Sequence, residues 1–528
     1  ILPGMLAVPR PGMGGPRPPA GGGARVHNAR GDMQRDITRR RADGKRRYIM
    51  KHAKFFKNAA IVSAGGLLAK GIGALYRIPL ANLLGGYGEG LYHMAYPLFC
   101  LMLTLSSAGI PTVVARTVAA ECVSGGARGT LASALRVFAG LGAFALVLML
   151  LLARPFARLQ GEEALVGCYL ALAPAVFFVA LLAVLRGWWQ GRGEMAPTAL
   201  SEIVEQLVKA GAGLLLASRF SADPVRAARA ALFAVTLSEL IALLFLAVRA
   251  RERRTMLSVS HNRGSVLLYS ALPAMLNASL LPLSQMLDSV LIVRLLARRT
   301  ARAVHLYGLF SGSALSLVSL PASLCAGLIA ASVPAVAACM AQGDAAGARK
   351  RALFALAVTL CLALPCALGL LAFAPLAVRW LYPALAAADA LLLVRLLRLL
   401  SVSAALLAAV GTLSACLTAM GFATCAMRAM LVAVLFKAGL EIALVGPLGI
   451  TGAAIAVNGC YLVAFFLDLF YTVRKKREKA HAAHHRIGDK EGRTDAGCDG
   501  GDPTRRCRVR AHRRAPCGSN LEGGGNSL

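Results

Sequence analysis

A small set of charged side chains interrupts an otherwise apolar chain, and their spacing points to ligand binding in place of bond chemistry. Lys70 and Arg77 lie seven residues apart in the apolar stretch 58–82 and share a helical face with Gly66 and Gly73. Glu202, Glu205 and Lys209 fall at i, i+3 and i+7 within 196–217. Asp288 stands in 265–292, and Lys437 and Glu441 fall at i, i+4 within 424–445. A charge near a bilayer centre costs roughly 2.5–3.5 kcal/mol on insertion scales, so it faces a cavity or a partner. Lys70 has no acidic residue at i±3 or i±4, which assigns it to a polar cavity. Cationic groups there suit an anionic, diphosphate-bearing substrate. Glu205–Lys209 fits either an internal ion pair or a cavity wall, and Lys437–Glu441 reads as an ion pair. Arg294 reads as a side chain snorkelling to the interface. Glu205 and Asp288 are candidates for ion coupling.

Other chemistry finds no support. The chain has no Gly-x-x-x-x-Gly-Lys-Ser/Thr loop, no His-Glu-x-x-His and no Gly-x-Ser-x-Gly. Its 13 cysteines contain no Cys-x-x-Cys pair, and those in apolar stretches read as small hydrophobes. His481, His484 and His485 belong to a hydrophilic tail. No cofactor and no metal site are expected. Gly85-Gly86-Tyr87-Gly88 reads as a tight turn between helices.

The elements that position these residues must be membrane helices. The chain has 528 residues, 57% hydrophobic and 16% charged, with a mean hydropathy of +0.63; globular chains are nearer 25% charged. Leu353–Ala374 runs more than twenty residues without a charge. Such stretches read as membrane spans. Twelve are expected: 58–82, 92–118, 131–153, 164–185, 196–217, 228–249, 265–292, 308–340, 351–376, 389–418, 424–445 and 450–473, with a bend from Pro321 and Pro334 in the long eighth. The net charge of +33 is concentrated in the ends: residues 1–57 and 474–528 carry 14 Lys+Arg each. These read as juxtamembrane anchors, not as nucleic-acid contacts. The loops on the side of Lys51–Lys57 and Arg474–Lys479 are the richer in Lys and Arg, which puts both termini in the cytoplasm. Residues 1–49 and 474–528 are expected to be basic extensions without a fold, the first preceding a plausible start at Met50. Residues 251–264 divide 50–250 from 265–473 as a cytoplasmic linker.

The halves repeat. Ala108-Gly109-Ile110-Pro111 precedes Gly126-Ala127-Arg128, and Ala331-Ser332-Val333-Pro334 precedes Gly347-Ala348-Arg349. Six helices in each half make the repeat parallel, an all-α polytopic membrane protein of two six-helix bundles with a site between them.

Several strings resemble the stage V sporulation protein B group: Lys70-Gly71, Tyr76-Arg77-Ile78-Pro79-Leu80, Asn82-Leu83-Leu84-Gly85, and Leu91-Tyr92-His93-Met94-Ala95-Tyr96-Pro97. Leu105 to Pro111, Arg186-Gly187-Trp188-Trp189-Gln190-Gly191, Glu205-Gln206 and Tyr307-Gly308-Leu309 continue the likeness over roughly 50–473. That group belongs to the multidrug/oligosaccharidyl-lipid/polysaccharide exporter superfamily, with MurJ-type lipid II flippases, Wzx flippases and MATE drug exporters. The resemblance implies alternating access around a central cavity and a polyprenyl-diphosphate-linked saccharide as cargo. It carries diphosphate contact to Lys70 and Arg77, and a place in the fifth-helix motif to Glu205 and Gln206. Gln206 and Lys209 complete the expected cavity set. MurJ-type flippases usually have fourteen helices, whereas this chain turns hydrophilic after the twelfth. They also carry an arginine where Ser316 stands.

The function expected is that of a flippase in the bacterial cytoplasmic membrane, with no bond made or broken and no ATP site. The expected partners are the lipid-linked saccharide, membrane lipids and, as candidates, cell-wall synthesis proteins; no nucleic acid is among them. The alternatives are a MATE-like cation-coupled drug antiporter, a membrane polymerase or ligase, and a non-transporting scaffold. Short outer loops count against the enzyme.

Overall fold

A computed structural model describes residues 23–123, 130–252 and 279–474, together with 267–269, 271 and 275. The expectations for 1–22 and 475–528, and most of the linker at 251–264, lie outside the described residues.

Apolar stretches that cannot leave backbone amides unpaired in lipid become helices, and no strand occurs among the described residues. In chain order the helices are α1 (Gly23–Ser107), α2 (Ile110–Val123), α3 (Thr130–Gln160), α4 (Leu165–Gly191), α5 (Ala196–Arg219) and α6 (Pro224–Glu252). They continue with α7 (Leu280–Ala297), α8 (Ala303–Tyr307), a π-helical turn (Gly308–Ala314), α9 (Leu315–Val318), α10 (Leu320–Ala341), α11 (Ala345–Leu381), α12 (Ala387–Ala419), α13 (Ala423–Leu448) and α14 (Ile450–Val473).

Two glycines shape the first hairpin. α1 breaks at Gly85, whose φ of 62° and ψ of 172° are open only to glycine at low cost; the first arm stops there and the second runs to Ser107. The expected second span, 92–118, is split in turn at Gly109 (φ 79°), just before Pro111, which has no N–H to continue the ladder. The expected 308–340 span is likewise three pieces, and it breaks at Ser319 ahead of Pro321. Pro334 stays inside α10. α1 starts at Gly23, upstream of the expected 58.

Among the described residues, nine helices are long and apolar enough to cross a membrane, one of them the merged stretch Gly65–Cys122. α5 is missing from that set because Glu202, Glu205 and Lys209 lower its hydropathy, and α7 is described only from Leu280. A chain of twelve spans is compatible with these helices. α4 is the most enclosed helix of the first half, packed by α1, α2, α3 and α6, and α12 takes the same place among α10, α11 and α14. The core follows these two centres, with Tyr169, Leu172 and Val176 on α4 and Leu393, Leu397 and Leu400 on α12.

The halves meet along the second arm of α1, which packs on α7, α8 and the π turn and reaches Ser279 through Thr104 at 3.3 Å. Gln160 at the end of α3 donates to the Met94 carbonyl at 3.1 Å and to Ser289 on α7 at 2.9 Å. Arg294, exposed in the last turn of α7, donates to the Leu159 and Arg158 carbonyls at 2.7 and 2.5 Å, tying α7 to the end of α3.

Candidate functional site

The first-half cluster is organised by α5, which starts with Pro197 in its first turn, where a missing N–H costs nothing. Its polar face lies on the glycine stripe of α1. A Cβ at Gly66 would sit 3.4 Å from the Glu202 carboxylate, and one at Gly73 would sit 2.8 Å from the Gln206 amide oxygen. The glycines let side chains of this length lie flat between two helices.

Glu205 does not pair with Lys209. Arg186 of α4 reaches it at 2.7 Å through Nη2 while Nε donates to Ser201 at 3.0 Å, a fork that only a guanidinium provides. Gln206 donates to the other Glu205 oxygen at 2.9 Å. Lys209 instead donates to the Tyr96 hydroxyl at 2.9 Å and lies 5.2 Å from that ring's centre. Tyr96 stacks on Tyr92 at 5.6 Å. The Tyr76 hydroxyl, above Gly213, and one oxygen of the buried Glu239 on α6 are buried without a hydrogen-bond partner among the described residues.

Lys70 and Arg77 are exposed on α1. Neither has a hydrogen-bond or ion-pair partner among the described residues. The structure therefore brings Gln206 and Glu202 against the α1 stripe and leaves Lys70 and Arg77 exposed there without an ion pair among the described residues.

Asp288 is elsewhere. Lys437 on α13 bonds directly to Asp288 on α7 and lies 3.7 Å from Glu441. The Lys437–Glu441 contact is thus present, but the shorter partner comes from another helix. Glu441 has no exposed surface, and both its oxygens lack a hydrogen bond. No group of three or more His, Cys, Asp and Glu able to hold a metal occurs among the described residues.

Sequence reasoning missed three residues. Glu239 stands in an apolar run and satisfies the rule that found Glu205. Arg186 ends such a run, so its charge was visible though its partner was not. Nothing in the sequence singles out Tyr96 as the acceptor for Lys209.

Residues 55–340 match the family described as "Polysaccharide biosynthesis protein". The chain belongs to that family. Stage V sporulation protein B of Bacillus subtilis (strain 168) is 29% identical over 310 residues, 56% of this chain and 60% of that protein. This chain therefore spans less than two thirds of that relative. Among solved structures, an inward-facing MATE family multidrug resistance transporter of the MOP superfamily superposes with a TM-score of 0.66, at 18% identity, over 81% of this chain and 96% of the other. Lipid II flippase MurJ in an inward closed conformation gives 0.62 at 14% identity, over 83% and 94%. At such identities the likeness is one of fold. This family member is an all-α, multi-pass membrane protein with a MATE/MurJ-like fold.

Proposed function

We propose that the protein translocates a polyprenyl-diphosphate-linked saccharide, a cell-wall or polysaccharide precursor, across the bacterial cytoplasmic membrane by alternating access of two bundles, 50–250 and 265–473. The observation that carries this is the pair Lys70 and Arg77, exposed on one face of α1 and without a partner among the described residues. Unpaired cations in a membrane half are costly, and a diphosphate repays that cost with charge-assisted hydrogen bonds. Gln206 adds an amide beside the same stripe, and Lys209, held only by a phenol, supplies a third cation. No bond is broken in such a cycle; both termini lie in the cytoplasm, and Asp288 and Glu205 are the carboxylates assigned to ion coupling. A drug antiporter for cations calls for the opposite balance, a cavity dominated by carboxylates, which α1 does not offer.

The test is gentle purification from bacterial membranes followed by native mass spectrometry. A co-purifying polyprenyl-diphosphate saccharide, absent from the Lys70→Ala/Arg77→Ala variant, is the expected result. Bulk phospholipid alone, with saturable binding of cationic drugs, would overturn the proposal.

A further inference from the structure

The seam between the halves contains a feature that cargo binding does not explain. Gly86 and Gly90 of α1 face Val304 and Gly308 at backbone contact: a Cβ at Gly308 would sit 2.1 Å from the Gly86 carbonyl oxygen, and one at Gly90 would sit 2.2 Å from the Val304 carbonyl oxygen. Glu89 projects between them over Gly312 and is only 4% exposed. Ser313 donates to its carboxylate at 2.7 Å, and no cationic side chain pairs with it among the described residues. The basic side chains beside Gly86 are already engaged: Arg302 and His305 bond to Asp389 at 2.9 and 2.8 Å.

Beside Glu89 lies a cavity of about 30 Å³, lined by Asn82, Glu89, Ser313 and Tyr382 with Gly85 and Gly86. Asn82 spends both amide hydrogens on carbonyls, Leu381 at 2.6 Å and Ile78 at 3.2 Å. That fixes which way the amide points, and its oxygen is left buried with no partner. Tyr382, 3% exposed, closes the cavity from the second half.

We propose that this cavity is a binding site for one monovalent alkali cation, with Na⁺ as the fitting size, held by the Glu89 carboxylate, the Asn82 amide oxygen, and the Ser313 and Tyr382 hydroxyls. All four donors are hard oxygens. A single carboxylate balances a single positive charge, whereas a divalent ion is ordinarily met by more acidic oxygen. Glu89 and Asn82 come from the first half and Ser313 and Tyr382 from the second, so the site is complete only when the halves are closed at this end. A cation bound there stabilises the closed seam over any state in which the halves part. The site is independent of the cargo and goes beyond it.

The experiment uses the full chain in detergent, titrated with NaCl against choline chloride at fixed pH and ionic strength. The readouts are ²²Na⁺ binding and the thermal unfolding midpoint. The expected result is one saturable Na⁺ per chain, weakened at least tenfold by Glu89→Gln and several-fold by Ser313→Ala. Na⁺ binding that survives Glu89→Gln would overturn the assignment. So would stabilisation that follows pH with no preference for Na⁺ over choline, since a proton on Glu89 then suffices. If Glu89→Gln does not fold, Ser313→Ala decides: a Na⁺ affinity unchanged from that of the unsubstituted chain counts against the site.

Discussion

Lys209 and Lys437 sit near the middle of the fifth helix of their respective halves, and their surroundings are opposite. Lys437 lies between two carboxylates, bonded to Asp288 and 3.7 Å from Glu441. Lys209 meets no carboxylate at salt-bridge distance and rests on the Tyr96 phenol; its neighbour Glu205 is taken by Arg186 at 2.7 Å. The second half has thus spent its central cation on holding α7 to α13. The first half keeps Lys209, Lys70 and Arg77 free of carboxylate partners. One half is suited to rigidity and the other to an anion, although both began from a related pattern of helices.

The largest effect should come from breaking the clamp. Lys437→Met leaves Asp288 and Glu441 facing each other without a cation, and is expected to lose about 3–5 kcal/mol. The loss should appear as a lower thermal midpoint, with most of it recovered when Asp288→Asn and Glu441→Gln are added. An unchanged midpoint would remove the contrast between the halves. Next comes Lys70→Ala with Arg77→Ala, expected to leave membrane abundance intact while complementation is lost. At about 1.5–3 kcal/mol for each charged contact, retention of lipid-linked saccharide should fall by roughly a hundredfold or more. Arg186→Lys cannot hold Glu205 and Ser201 together, and should cost about 1–2 kcal/mol in unfolding measurements; no change would show the fork to be incidental. The smallest effect is expected for Tyr96→Phe, about 0.5–1.5 kcal/mol or less in stability. By releasing Lys209 it should tighten retention of the anionic cargo, and weaker retention would place Tyr96 itself against the cargo.

Much of the architecture was legible in the sequence because a bilayer leaves few choices. Length and apolarity announce a span, and a charge inside one announces a partner or a cavity. On that logic Lys70, Arg77 and Asp288 stood out. Glu239 obeyed the same rule and was passed over. Breaks within spans were harder to place. Pro321 marked a bend near Ser319, but the split at Gly109 depends on a φ of 79° that a Gly-Ile-Pro string permits without demanding. Glu205 and Lys209 show the limit best. Four residues apart on one helix, they were reasonable partners, yet each found another across a helix interface, Arg186 at 2.7 Å and Tyr96 at 2.9 Å, and spacing along one helix does not encode which groups a neighbouring helix presents.

By itself, the sequence determined that this chain is a multi-pass helical membrane protein, and which ionisable groups must be accounted for within it. It did so because transfer of apolar and charged groups into lipid is a property of each residue, read locally. Only the tertiary structure decided who pairs with whom: Lys437 with Asp288, Arg186 with Glu205, Lys209 with Tyr96. It also decided that Glu89 meets Ser313 where the halves close. Those pairings depend on which helix faces which and at what height. Glycines such as Gly90 and Gly308, where a Cβ would fall under 3 Å from a neighbouring backbone atom, permit that relation, and no single helix carries the information.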